Sequence, residues 1–152
     1  MKHDSVLAVL AGTYTMINQT NPDSVRTWGD APHGHITYTT HGFMSAVMAS
    51  TNPEHRPPGI TNSAEQQADP SLLGDFATIA KHTMAYAAPY VVGEGSTASS
   101  GVLVHGPLAV NTLPSFEGRM WTRWYTFYEG ADVLFLRLNE TGEAGVWWRR
   151  IS

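Results

Sequence analysis

The stretch RMWTRWYTFYEG, residues 119–130, sets one arginine, Arg123, among five aromatic residues: Trp121, Trp124, Tyr125, Phe127 and Tyr128. A guanidinium stays protonated inside a protein, and burying it without a partner is expensive. Two arrangements meet that cost. On the outer face of a strand, the arginine stem covers apolar surface. On the inner face, the guanidinium stands in a pocket and waits for an anion or a carbonyl. A second group of interest is His105, in the otherwise apolar GVLVHGPL. Histidine titrates near neutral pH and can move protons, although a lone histidine on a strand is more often a hydrogen-bonded core or surface residue.

Other chemistries find less support. His33 and His35, one residue apart, would project from one face of a strand and could share a metal with His41, His55 or His82. Neither an HExxH pattern nor a suitably spaced carboxylate accompanies them, so no metal is expected. No Gly-x-Ser-x-Gly elbow is present. The run GEGSTASSG (93–101) matches a phosphate-cradling loop only in composition, lacking the lysine and the spacing. With no cysteine, neither disulfides nor thiolate chemistry is available.

The elements that must position Arg123 and His105 read as short strands. The length of 152 residues fits one domain. Charged residues make up 14%, well below the roughly 25% of an average soluble chain, while rings are plentiful. Such a chain suits an apolar interior cavity. A net charge of −4 argues against nucleic acid as a partner. No apolar run approaches the roughly 20 residues of a membrane-spanning helix, and the N-terminus shows no convincing signal peptide, so a cytoplasmic protein is expected.

A short helix over Val6 to Ala11, capped by Asp4 or Ser5, precedes GTYTMINQT (12–20). After a turn-rich loop (21–32), HGHITYTTHGFMSAVMAS (33–50) reads as a hairpin with His41-Gly42 at its turn. Further strands are expected at 86–95, 98–110, 118–128, 132–138 and 144–151. About eight strands in mostly nearest-neighbour order point to an all-β, antiparallel up-and-down barrel. One helix is expected around residues 70–86, with Asp69 as its cap and Pro70 in first position. Its apolar face would carry Leu72, Leu73, Phe76, Ile79, Ala80 and Met84. The Pro-rich loop before it (50–70) is either a disordered insertion or a lid over one mouth of the barrel.

The face of Arg123 follows from the turn EGAD. With Gly130-Ala131 at the corner, Phe127 stands opposite Leu134, Tyr125 opposite Leu136 and Arg123 opposite Leu138. This is the more uniformly apolar face, so it is assigned to the interior and Arg123 points inward. A loop one residue longer would reverse one strand's set.

LAGTYTM, HGHITYTTHGFMSAVM, YAAPYVV, VLVHG, PSFEGRMWTRWY and VWWRR, in this order, resemble the lipocalin-like domain family, and the likeness covers nearly the whole chain. The resemblance implies one eight-stranded barrel over 1–152 with an internal ligand cavity, and relatives in natural-product pathways. Its pattern marks Gly34, Tyr38, Gly42, Met44, Ser45, His105, Gly118 and Arg123. The chain departs from it at Tyr14, where tryptophan is usual, and at Ala88-Pro89-Tyr90, which replaces a Gly-Thr-Tyr-like stretch. The resemblance also implies that His105 and Tyr38 share the lumen with Arg123.

The expected function is a cofactor-independent isomerase or cyclase acting on an apolar oxygenated molecule, such as a polyketide- or terpenoid-like intermediate of secondary metabolism. His105, Arg123 and Tyr38 would form the catalytic set. Tyr125, Trp121, Phe127, Ser45 and Leu136 would bind the ligand. The competing reading is a carrier with the same cavity and no chemistry. VWWRR is read structurally, with Arg149 or Arg150 stacked over Tyr14 to plug the barrel bottom.

Overall fold

Alternation of buried and exposed residues builds the strands of this chain. In β3 (Phe43–Ala49), Met44, Ala46 and Met48 are buried while Phe43, Ser45 and Val47 are exposed. β1 (Gly12–Gln19) and β2 (His33–Tyr38) follow the same period, as a half-buried sheet requires. A computed structural model describes residues 2–21 and 27–152, with side chains from residue 5 onward. Residues 22–26 of the loop expected at 21–32 therefore lie outside the described residues, as do the side chains of Lys2 to Asp4.

β4 (Thr83–Val92), β5 (Ser100–His105), β7 (Trp121–Tyr128), β8 (Val133–Arg137) and β9 (Gly145–Arg150) complete the wall, and the two-residue β6 (Val110–Asn111) pairs beside β4. The pairing order β3-β2-β1-β9-β8-β7-β5-β4 returns to β3 through a β3–β4 ladder from Phe43↔Pro89 to Ala49↔Thr83. The result is a closed, antiparallel barrel of eight strands. Closure pairs each of the eight wall strands on both sides. At the β2–β3 hairpin, Gly42 adopts φ +77, a left-handed conformation that side chains rarely tolerate.

Because consecutive strands alternate direction, the loops gather at two ends. One end carries α1 (Lys2–Leu10), which lowers Val6 and Leu10 into the core. This helix begins earlier than expected, so Asp4 and Ser5 lie within it. Tyr14 donates from its hydroxyl to the Leu10 carbonyl at 2.8 Å. The Arg150 guanidinium lies 4.7 Å from the Tyr14 ring centre and donates to that same hydroxyl. The expected plug is thus built by Arg150, while Arg149 pairs on the surface with Glu129 at 3.0 Å.

The opposite end carries the segment between β3 and β4. It is folded. A 3₁₀ turn (Pro53–His55) and α2 (Ala64–Ala68) lie within it. Gln66 ties the segment together: its Oε1 accepts from the Thr61 amide at 2.7 Å and its Nε2 donates to the Gly59 carbonyl at 2.7 Å. Asp69 is a cap as expected, accepting from the Ser71 amide at 2.9 Å. It caps a 3₁₀ turn (Pro70–Leu72) that leads into α3 (Leu73–Lys81). The helix ends five residues before the expected limit. Met84, placed by its spacing on the helix face, belongs to β4 and pairs with Met48. Ladder hydrogen bonds to β3 outweigh a helical period that continued by coincidence.

At Gly34 β2 lies close against β3. A Cβ there would meet the Val47 carbonyl oxygen at 2.6 Å and Met48 Cγ at 3.0 Å. Gly34→Ala is expected to destabilise the barrel by about 1–3 kcal/mol through overpacking. Thermal unfolding followed by circular dichroism checks this, and an unchanged Tm would contradict the close approach.

Candidate functional site: a donor-lined cavity in the barrel

β7 has the register that the EGAD turn requires: Phe127 pairs with Leu134 and Tyr125 with Leu136. Arg123 shares their parity and enters the lumen. It lines a cavity of about 170 Å³ together with Ile36, Met84, Tyr86, Trp121, Leu136 and Trp148 among others. One guanidinium nitrogen donates to the Thr122 carbonyl at 2.9 Å, and the group stands 5.2 Å from the Trp121 ring centre. Among the described residues the one ion pair is Arg149–Glu129, so no carboxylate neutralises Arg123. Its field reaches inward, where it favours the neutral imidazole of His105 and opposes the burial that keeps Tyr38 and Tyr86 protonated.

His105 is 0% exposed. Its Nε2 lies 2.8 Å from the Tyr38 hydroxyl, and its Nδ1 has no partner among the described residues. Burial, aided by the Arg123 charge, pushes the imidazole down to about 3. Burial likewise raises the Tyr38 phenol well above its ordinary value, with Tyr86 adding to the shift and Arg123 opposing it. The two form a neutral hydrogen-bonded pair in the barrel centre. Neither lines the cavity. Tyr86 lines it, and its ring centre is 6.2 Å from that of His105.

The expected ligand-binding residues separate into three groups. Trp121 and Leu136 line the cavity with Arg123. Tyr125 and Phe127 face the interior but belong to the α1 end: the Tyr125 hydroxyl donates to the Thr97 carbonyl at 2.5 Å, and Phe127 packs 6.4 Å from Tyr14. Ser45 is on the outer face, between the inward Met44 and Ala46, and cannot touch a ligand in the lumen. The segment 50–82 supplies no residue to the lining of this cavity.

Most of the lining, including Ile36, Met48, Phe116 and Val146 as well as Tyr86, Trp148 and Trp28, escaped the sequence reading. The indole N–H groups of Trp28 and Trp148 are buried without a hydrogen-bond partner among the described residues. Trp148 shares the parity of Arg150, but the sequence left open whether Arg149 or Arg150 faces inward; Trp28, in the connection between β1 and β2, gave no signal. Among the described residues no group of three His, Asp or Glu side chains could hold a metal ion. His33 and His35 meet edge to face at 5.4 Å, and His55 instead stacks on His82 at 3.4 Å.

A closed eight-stranded antiparallel barrel with a cavity around a partly buried arginine is the architecture of a lipocalin-type barrel, a fold that suggests small-molecule binding. The lipocalin-like domain family matches residues 11–151, and the chain belongs to it. No curated protein and no solved structure matches the chain. No helix among the described residues is long and apolar enough to cross a membrane.

Proposed function

We propose that the protein binds a compact, mainly apolar molecule in the barrel cavity and holds its one oxygen-bearing end on Arg123. The observation that carries this reading is the guanidinium itself, set among rings and aliphatic side chains with no described carboxylate beside it. A protein keeps an unpaired cation in such a place only against a stability cost. A bound oxygen would offset that cost. Binding is favoured over the isomerase or cyclase reading for a specific reason. Proton transfer needs a titrating group at the cavity wall. His105 lies outside the lining, and its imidazole is neutral down to about pH 3. What still supports chemistry is Tyr86, whose hydroxyl burial keeps protonated beside Arg123.

The test uses the methionine methyl groups as reporters, because Met48 and Met84 line the cavity while Met44 does not. Single-ring carbonyl probes are expected to shift the Met48 and Met84 resonances saturably. Arg123→Leu should weaken that binding at least tenfold while the barrel stays folded. A set of such probes that leaves both methionines unmoved would defeat the reading.

A further inference from the structure

We infer that the cavity selects the anion of a single-ring carboxylic acid, an aromatic acid of about benzoate size. The inference rests on the binding reading above and narrows it to one ligand class. Its first support is the polarity of the lining. The polar side chains around the cavity are Arg123, the Tyr86 hydroxyl and the indoles of Trp28, Trp121 and Trp148. All are hydrogen-bond donors, and only the Tyr86 oxygen can also accept. No carboxylate, imidazole or amide side chain lines the site among the described residues. An alcohol, amide or amine entering here would bring N–H or O–H groups that find almost no acceptor, and an ammonium would also meet the Arg123 charge. A carboxylate brings acceptors alone.

The second support is the number of unanswered donors. Arginine carries five N–H donors in a planar fork suited to a carboxylate. Arg123 commits one nitrogen to the Thr122 carbonyl. The N–H groups of Trp28 and Trp148 are buried with no partner among the described residues. Two oxygens of one carboxylate could engage the arginine fork and still accept from a neighbouring donor.

The third support is size and shape. A volume of about 170 Å³ is well below the range of drug-sized sites, roughly 300–1,000 Å³. It is close to the roughly 150 Å³ that accommodates a benzene ring in a dry apolar cavity. Long acyl chains and fused-ring skeletons exceed it. The walls are aromatic: Tyr86 and Phe116 both meet Trp121 edge to face, at 5.0 and 5.2 Å between ring centres. Such walls offer edges and faces to one further ring.

The experiment titrates the protein at pH 7 with benzoate, its neutral isostere benzamide, benzylamine, palmitate and toluene, reading the Met48 and Met84 methyl shifts. Benzoate should bind at least tenfold more tightly than benzamide, and benzylamine and palmitate should not bind. Arg123→Leu should remove the benzoate advantage while toluene still binds. Tyr86→Phe, the milder change, should weaken benzoate severalfold and leave toluene unaffected. If benzamide equals benzoate, or the preference survives in Arg123→Leu, the acid assignment is wrong although toluene binding would keep the cavity reading intact. If toluene and every oxygenated probe fail to move the two methionines, both readings fall together.

Discussion

Acidification from pH 7 to pH 4 is expected to remove on the order of 3 kcal/mol of stability from this barrel through His105 alone. The imidazole is held down to about 3 by burial and by Arg123, against about 6.5 for a solvated histidine. Above about pH 6.5 it is neutral in the folded and the unfolded chain, and the neutral Tyr38–His105 pair contributes fully. Between about 6.5 and 3 the unfolded chain takes up a proton that the folded barrel refuses, so stability falls throughout that window. The comparison protein is Tyr38→Phe/His105→Leu. Replacing both partners with apolar groups of similar shape leaves no orphan, so the double variant should resemble the wild type at pH 7. It should also lack the His105 part of the acid loss, while the surface carboxylates, common to both proteins, cancel in the difference. Urea unfolding at pH 7, 5 and 4 gives the two slopes. Parallel slopes would show that the imidazole is not held neutral.

This prediction rests on a distinction that the sequence carried only in part. That Arg123 faces inward was legible, because the EGAD corner fixes the β7–β8 register and the opposing residues are leucines. Burial depth was not legible. GVLVHGPL shows an apolar strand, but whether His105 meets ligand, solvent or Tyr38 depends on which strands lie across the lumen. Neighbouring residues hold a check on Ser45 that the sequence reading did not apply. Met44 and Ser45 cannot both face the interior of one strand, and hydrophobicity assigns the inward side to Met44. Met84 failed for the opposite reason. A helical spacing ran on past His82 by chance, and only the ladder with Met48 shows that the chain had already become a strand. The cavity wall from Trp28 comes from the connection between β1 and β2, and no local pattern announces it.

The other large effect is expected at the opposite end of the barrel. The family match begins at residue 11, so α1 (Lys2–Leu10) lies outside the matched region, and Arg150 ties its last turn to the barrel. Its guanidinium donates to the Ala11 carbonyl at 2.7 Å, the Val9 carbonyl at 2.6 Å and the Tyr14 hydroxyl at 2.5 Å, and its Nε to the Ala131 carbonyl at 3.3 Å. The Val9 carbonyl belongs to the last turn of α1, where carbonyls lack intrahelical donors and a cation is favourable. Burial pushes the Tyr14 phenol up to about 12 despite the nearby Arg150 charge, so the hydroxyl stays a donor to Leu10 while it accepts from Arg150. Arg150→Met keeps the stem but orphans several of these acceptors together, and is expected to cost about 2–4 kcal/mol. With roughly 2–4 °C per kcal/mol for a domain of this size, Tm should fall by roughly 5–15 °C. Amides of α1 should gain hydrogen exchange before those of the strands, because the helix loses its main polar attachment first. Arg149→Met is the control: its pair with Glu129 is about half exposed on both sides, and such pairs contribute about 0–1 kcal/mol. Equal losses in the two variants, or protection of α1 unchanged in Arg150→Met, would show that the helix is held by Val6 and Leu10 packing and not by the arginine.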